Sequence, residues 1–417
     1  MTRLVMQPLR RVEGHGRVEL ILRDGQLREV RLALTESPRL FERLVVGRSA
    51  LEIPDLVCRI CAICSAVHRL AALEAIERAL AVEIPPAARL VRELLLLGGH
   101  LQSHALHLFC LILPDFSGVA SVFDLVRRGD PLAVGGLELK AFGNRVQELA
   151  GGRVIHPVNA VPGGVVRLPS GEALAGLRQD CDVWLERWPR LSADFIGTAR
   201  YPASGTLTGT VLAVGGAERF ALQGDTLYVG GGDPVPAGGY AELLAEQPVP
   251  YSRARQSAGD RGPFLVGALA RRQLWAARSG GGAVLEGAGG IHDNNTAQLA
   301  EIGWTLERIA AVAAELQAQR PGAPLQIPPG SPRAGVGTAA FEAPRGLLVH
   351  HYVVDDWGQV AVADIATPTA INQRTMERQL LADLAGIDDE TELRGRAARV
   401  VRAFDPCISC AVHVIQC

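Results

Sequence analysis

Apolar and polar positions alternate through GRVELILRDGQLREVRLAL, residues 16–34, and Asp24-Gly25 interrupts the alternation. Alternation sends successive side chains to opposite faces, and Asp-Gly suits a tight turn, so a β-hairpin is expected here. From residue 38 to about 113 the apolar period becomes helical, with breaks at EIPDLV and EIPPAA, because proline brings no N–H to a helix. Helical periods return at 136–150, 170–194, 296–319 and 373–404. Short strand-like runs separated by glycine fill 205–233, and GLLVHHYVVDDWGQVAVADI, residues 346–365, reads as a second hairpin. No fixed-period repeat is present. The GGG runs at 230–232 and 280–282 are turn material, and neither GxGxxG nor GxxxxGK[ST] appears between a strand and a helix. The pattern predicts one unit over residues 1–417: α+β, mainly α, with peripheral β hairpins and a β-rich excursion near 205–233.

Composition narrows the function. Basic and acidic residues number 42 and 44 in 417, so no strong field favours nucleic acid or an anionic membrane. The longest apolar region, residues 93–116, carries His100, Gln102, His104 and His107 and is expected to be a buried helix rather than a membrane span. MTRLVMQPLRRVEG has no apolar run of the signal-peptide kind, so a cytoplasmic location is expected.

The eight cysteines are clustered, which in a reducing compartment points to metal binding or catalysis. RICAICSAVH sets Cys61 and Cys64 at CxxC spacing, with His68 four residues on. DPCISCAVH sets Cys407 and Cys410 at the same spacing, with His413 three residues on. A zinc ribbon keeps its pairs within ~20 residues of each other, whereas 346 residues separate Cys61 from Cys407. Only global folding brings such pairs together, which fits a buried reactive centre. Four soft thiolates select zinc, Fe–S iron, Cu(I) or nickel, and structural zinc is the alternative on spacing alone. Cys58, Cys110 and Cys181 read as packing thiols, and the His100, His104, His107 stripe, with no acidic partner in view, as a hydrogen-bonded core face.

These two signatures, together with RRVEGHGRVEL, RLFERLVVGR, EAPRG and IATPTAIN in order, resemble the large catalytic subunit of nickel–iron hydrogenases over nearly the whole chain. The resemblance implies that family's fold, with a helical bundle core. It implies reversible heterolytic cleavage of H2 at a nickel–iron centre carrying carbon monoxide and cyanide. Cys61 and Cys407 would be terminal nickel ligands, and Cys64 and Cys410 would bridge to iron. Glu13 would relay protons. Arg345 would hold a guanidinium over the open metal position, with Asp115 or Asp405 as its carboxylate. Pro368 and Thr369 would surround the cyanides, and His68 would tune Cys64. Glu42, the carbonyl of Ile365 and His413 would bind magnesium or a similar ion. The implied partners are an iron–sulfur small subunit, further electron-transfer subunits linked to NAD(P) or another cofactor as in the cytoplasmic bidirectional group, and maturation factors.

The chain departs from the family pattern at Ala62, where the signature has glycine, and in the short VIQC tail after His413. An H2-sensing subunit, or a structural zinc or Fe–S protein without hydrogen chemistry, are the competing readings.

Overall fold

Helices dominate the computed structural model, which describes residues 2–36, 40–215, 221–278, 290–319 and 322–412. The principal ones are α1 (Ser65–Leu80), α2 (Pro86–Ala105), α3 (Pro131–Gly151), α4 (Gly171–Thr198), α5 (Ala268–Arg278), α6 (Asp293–Gln317), α7 (Pro368–Leu384) and α8 (Glu390–Ala403). Local sequence sets their ends. The Asp130 carboxylate caps α3 by accepting from the amides of Leu132 at 2.9 Å and Ala133 at 3.0 Å, and Pro131 follows in the first turn, where a missing N–H costs nothing. Ser170 and Asp389 cap α4 and α8 in the same manner.

Two expected boundaries move. EIPDLV is no break, because Ile53–Val57 is itself a short helix with proline in its first turn. The single period at 373–404 is two helices, parted at Gly386, whose φ of 76° ends the first. The apolar region continues α2 through a π-helical turn, Leu106–Ile112, to Phe116. Pro86–Phe116 is long and apolar enough to cross a bilayer, yet it is packed inside against α3 and α6.

Strands β1 (Thr2–Met6), β2 (Gly16–Arg23) and β3 (Gln26–Leu34) form an antiparallel sheet, and Asp24 and Gly25 turn its hairpin with φ of 53° and 77°. A second sheet holds β4 (Gly335–Ala343), β5 (Gly346–Val354) and β6 (Val360–Ala366), with Gln223–Gly224 on its edge. The expected hairpin is β5–β6, and β4 is an addition. Its sequence, GVGTAAFEA, shows no clear alternation because α1 covers it closely and most of its residues are buried. A Cβ on Gly337 would lie 1.8 Å from the Ala75 carbonyl oxygen, so glycine there lets helix and strand backbones touch. This sheet therefore lies within the helical core. In the 205–233 excursion, Thr210–Val214 and Thr226–Val229 pair in a further small sheet; residues 280–282 lie outside the described part.

Two large apolar clusters result. One joins α1 to α4, α6 and the second sheet; the other joins β1–β3, α5, α7 and α8. Cys61, Cys64, Cys407 and Cys410 belong to the first cluster, while Ile408 and Ala411 belong to the second, so the cysteines sit on the seam.

Candidate metal centre

Cys64 stands at the N-cap of α1, and Cys407 begins the single turn Ile408–Ala411 that carries Cys410. The two ends of the chain converge here. Cys407 Sγ lies 3.3 Å from Cys61 Sγ, 3.9 Å from Cys64 Sγ and 3.0 Å from Cys410 Sγ. All four sulfurs lie within 4.8 Å of one another, and all four are buried. Sulfurs at ~2.3 Å from one metal form a tetrahedron with edges of ~3.8 Å, so the donor set fits a thiolate-bound metal. Sulfur–sulfur hydrogen bonds to Cys407 and Cys410, helped by the Arg345 charge, hold the Cys64 thiol well below its usual range, while burial pushes Cys407 up. Four sulfurs in one dry pocket do not all ionise unaided, and a metal cation supplies the missing charge.

The N-terminal segment runs beside the second pair. Glu13 and Cys407 form a parallel bridge, and the Ile408 amide donates to the Glu13 carbonyl at 3.1 Å. The Glu13 carboxylate lies 3.2 Å from Cys407 Sγ and accepts from the Ser409 amide at 3.0 Å, with part of the residue reaching solvent. Thr369, after Pro368 in the first turn of α7, accepts from the Cys407 amide at 2.8 Å through Oγ1.

Arg345 occupies the turn between β4 and β5 and is 3% exposed. Its Nη1 donates to Cys64 Sγ at 3.3 Å, and its Nε to the carbonyl of Asp405 at 3.0 Å and to its carboxylate at 3.2 Å. The carboxylate that holds Arg345 is thus Asp405 rather than Asp115. Asp115 is taken by Arg11 and, at 2.8 and 2.9 Å, by Arg402. The His68 ring meets His350 at 3.1 Å, and His350 meets the Tyr352 hydroxyl at 2.7 Å; the His68 amide donates to the Cys64 carbonyl at 3.1 Å. Glu42 accepts from the Ile365 amide at 2.9 Å, so the two residues are neighbours, although the expected magnesium ligand is the Ile365 carbonyl. His413 and the tail lie outside the described residues. Cys58 donates to the Asp55 carbonyl at 3.4 Å, and burial pushes Cys110 and Cys181 up to about 11 and about 12, which suits packing thiols.

A nickel-dependent hydrogenase family model matches residues 39–130 and 307–413, and a HoxL-like model residues 3–37. The alpha chain of sulfhydrogenase 2 from Pyrococcus furiosus is 38% identical over 418 residues, which cover 97% of this chain and 98% of the relative. This chain belongs to the nickel-dependent hydrogenase family. The vhu F420-non-reducing hydrogenase of Methanocaldococcus jannaschii supplies a relative that is 30% identical over 91% of this chain and 98% of its own. The crystal structure of an NAD+-reducing [NiFe]-hydrogenase in the H2-reduced state superposes with a TM-score of 0.84 at 30% identity, covering 99% of this chain and 100% of that one. The hydrogenase is an oxidoreductase acting on H2, and its four thiols fit a nickel–iron site.

Several site neighbours in this hydrogenase escaped the sequence. Glu301 lies 2.8 Å from His104, so the histidine stripe does have an acidic partner. That group holds a guanidinium rather than a metal, because Arg271 donates to both Glu301 oxygens at 2.7 Å. Arg271 also donates to Glu342 at 2.7 Å. One guanidinium serves two buried carboxylates, and burial pushes Glu342 up to about 7 in spite of it. Unfolded glutamate ionises near ~4.3, so the folded hydrogenase keeps a proton on Glu342 that the unfolded chain has lost. The resulting stability is full below the unfolded value and is lost as pH rises through about 7. Glu342→Gln is expected to flatten the fall in thermal midpoint between about pH 5 and pH 8; an unaltered slope would remove Glu342 from this balance.

Proposed function

We propose that this hydrogenase cleaves H2 heterolytically at a nickel–iron centre that its four thiols would hold, Cys61 and Cys407 as ligands of nickel alone and Cys64 and Cys410 as ligands shared with iron, with carbon monoxide and cyanide as the iron's other ligands. The convergence of four buried sulfurs within 4.8 Å carries the reading. When bound, the centre supplies a Lewis acid for H2 and an acceptor for its electrons.

The remaining work falls to the chain's own side chains. Cys407 takes a proton, and Glu13, 3.2 Å away, carries it outward. The Ser409 amide fixes the Glu13 carboxylate in reach. Arg345 sets a cation beside Cys64 and balances the anionic thiolates. The Thr369 hydroxyl accepts from the Cys407 amide and keeps its own proton, which it would donate toward a cyanide beside Pro368. His68 braces the start of α1 behind Cys64. Glu42, the Ile365 carbonyl and His413 would bind magnesium, clamping the chain end that carries Cys407 and Cys410.

The sulfhydrogenase relative is named as an alpha chain of its complex, and one solved neighbour as NAD+-reducing. These names support partner subunits and electron transfer linked to NAD(P) or another cofactor, while the iron–sulfur small subunit, the maturation factors and the cytoplasmic setting rest on the resemblance of the motifs alone. Metal analysis and infrared spectroscopy of the complex test the reading. Nickel, iron and bands of metal-bound carbon monoxide and cyanide are expected; zinc without such bands would overturn it. Glu13→Gln is expected to slow exchange between H2 and deuterated water roughly 100-fold with metals retained, and exchange at the parental rate would remove Glu13 from the relay.

A further inference from the structure

We propose that His100 and His104 of α2 and His107 of its π-helical continuation, acting through Glu301, Arg271 and Gln298, form a frame that fixes the Arg345–Asp405 pair beside Cys64, and that Gln298 is a positioning residue for the reaction on H2. The proposal rests on the nickel–iron reading of the four thiols.

Each histidine reaches the pair by a short path. His100 Nε2 donates to the Glu342 carbonyl at 2.8 Å, three residues before Arg345. His104 meets Glu301 at 2.8 Å, and Glu301 grips Arg271. Arg271 then donates to the carbonyls of Ala343 at 3.3 Å and Pro344 at 3.4 Å, the two residues that lead into Arg345. His107 Nε2 donates to the Arg402 carbonyl at 2.7 Å, and its Nδ1 lies 2.6 Å from Gln298 Oε1. Gln298 Nε2 donates to Asp405 Oδ2 at 3.3 Å, while Asp405 Oδ1 faces Arg345. One path grips the Arg345 backbone, and the other grips its carboxylate.

The pair needs such a frame. Asp405 has a φ of 51°, a conformation that costs a non-glycine residue energy and persists only where its surroundings impose it. It is 2% exposed, so an oxygen left bare would be both costly and free to turn. Gln298 occupies that second oxygen and stops the carboxylate from rotating away from Arg345. Fixed charges beside a reacting centre act without reorganisation, and small displacements are felt as rate.

The test is a double-variant cycle on the complete complex: Gln298→Met and Gln298→Asn, each alone and combined with Arg345→Lys. Gln298→Met is expected to lower kcat roughly 10-fold with unchanged KM for H2, and Gln298→Asn, which keeps a shortened amide, to lie between it and the parent. Nickel content should stay near parental, while the thermal midpoint of Gln298→Met falls because Asp405 and His107 each lose a buried partner. In the Arg345→Lys background the same changes should cost less than about 2-fold more, because the path they serve is already broken. Losses that multiply in either folded variant, or a parental kcat in Gln298→Met with nickel in place, would overturn the frame alone. A parent complex that holds zinc in place of nickel would overturn the underlying reading and the frame with it.

Discussion

Serine in place of Cys410 is expected to give a folded chain that retains no nickel and loses H2 activity by at least ~10^4-fold. The Cys410 sulfur lies 3.0 Å from Cys407 Sγ, and the residue has almost no exposure. A serine hydroxyl there is harder, shorter and far less acidic than a thiol, so it offers a soft metal almost nothing. The fold should survive, because the residue lies where two large apolar clusters meet and those clusters need no metal to pack. The thermal midpoint of the unloaded variant should therefore match that of the unloaded parent, which separates loss of metal from loss of structure. Cys58→Ser supplies the contrast. Its sulfur donates to the Asp55 carbonyl, stands outside the group of four, and is expected to be dispensable for nickel. Metal analysis of both proteins decides the matter: parental nickel in Cys410→Ser, or none in Cys58→Ser, would refute the four-sulfur site.

What was legible in the chain was what spacing encodes locally. The CxxC pairs, the Asp24-Gly25 hairpin and the period of α2 each fit within a short window, and each stands where expected. What stayed hidden depends on partners far apart in sequence. Glu301 faces His104 across 197 residues, a pairing that packing of α6 against α2 creates, and Gln298 faces Asp405 across 107, where the segment after α8 meets α6. Strand β4 was illegible for a related reason. Glycine and alanine look like poor strand formers until α1 is known to lie against them, at which point only small residues fit. The choice between Asp115 and Asp405 stayed open for a similar reason. Both are acidic and near a motif, and what separates them is Arg402, which occupies Asp115 at 2.8 Å.

Arg345→Lys keeps a positive charge and is still expected to lower kcat roughly 100-fold, with nickel retained. The guanidinium spans two directions at once: Nη1 points at Cys64 Sγ, 3.3 Å away, while Nε bonds the Asp405 carbonyl and carboxylate at 3.0 and 3.2 Å. A lysine ammonium is a point charge on a flexible stem and cannot serve both ends in a fixed plane. Its charge still offsets the thiolates, which is why the metal should remain. Arg345→Met removes that charge as well. It leaves the Asp405 carboxylate buried at 2% exposure with no cation opposite, and nickel content is then expected to fall along with turnover. The pair of variants thus divides the role of Arg345 into two parts: charge, read by nickel per chain, and placement, read by kcat at full nickel. A lysine variant that turns over at the parental rate would show that placement is immaterial. Arg345 would then act as a counter-charge alone, and the surroundings that hold it in line would have no bearing on the rate.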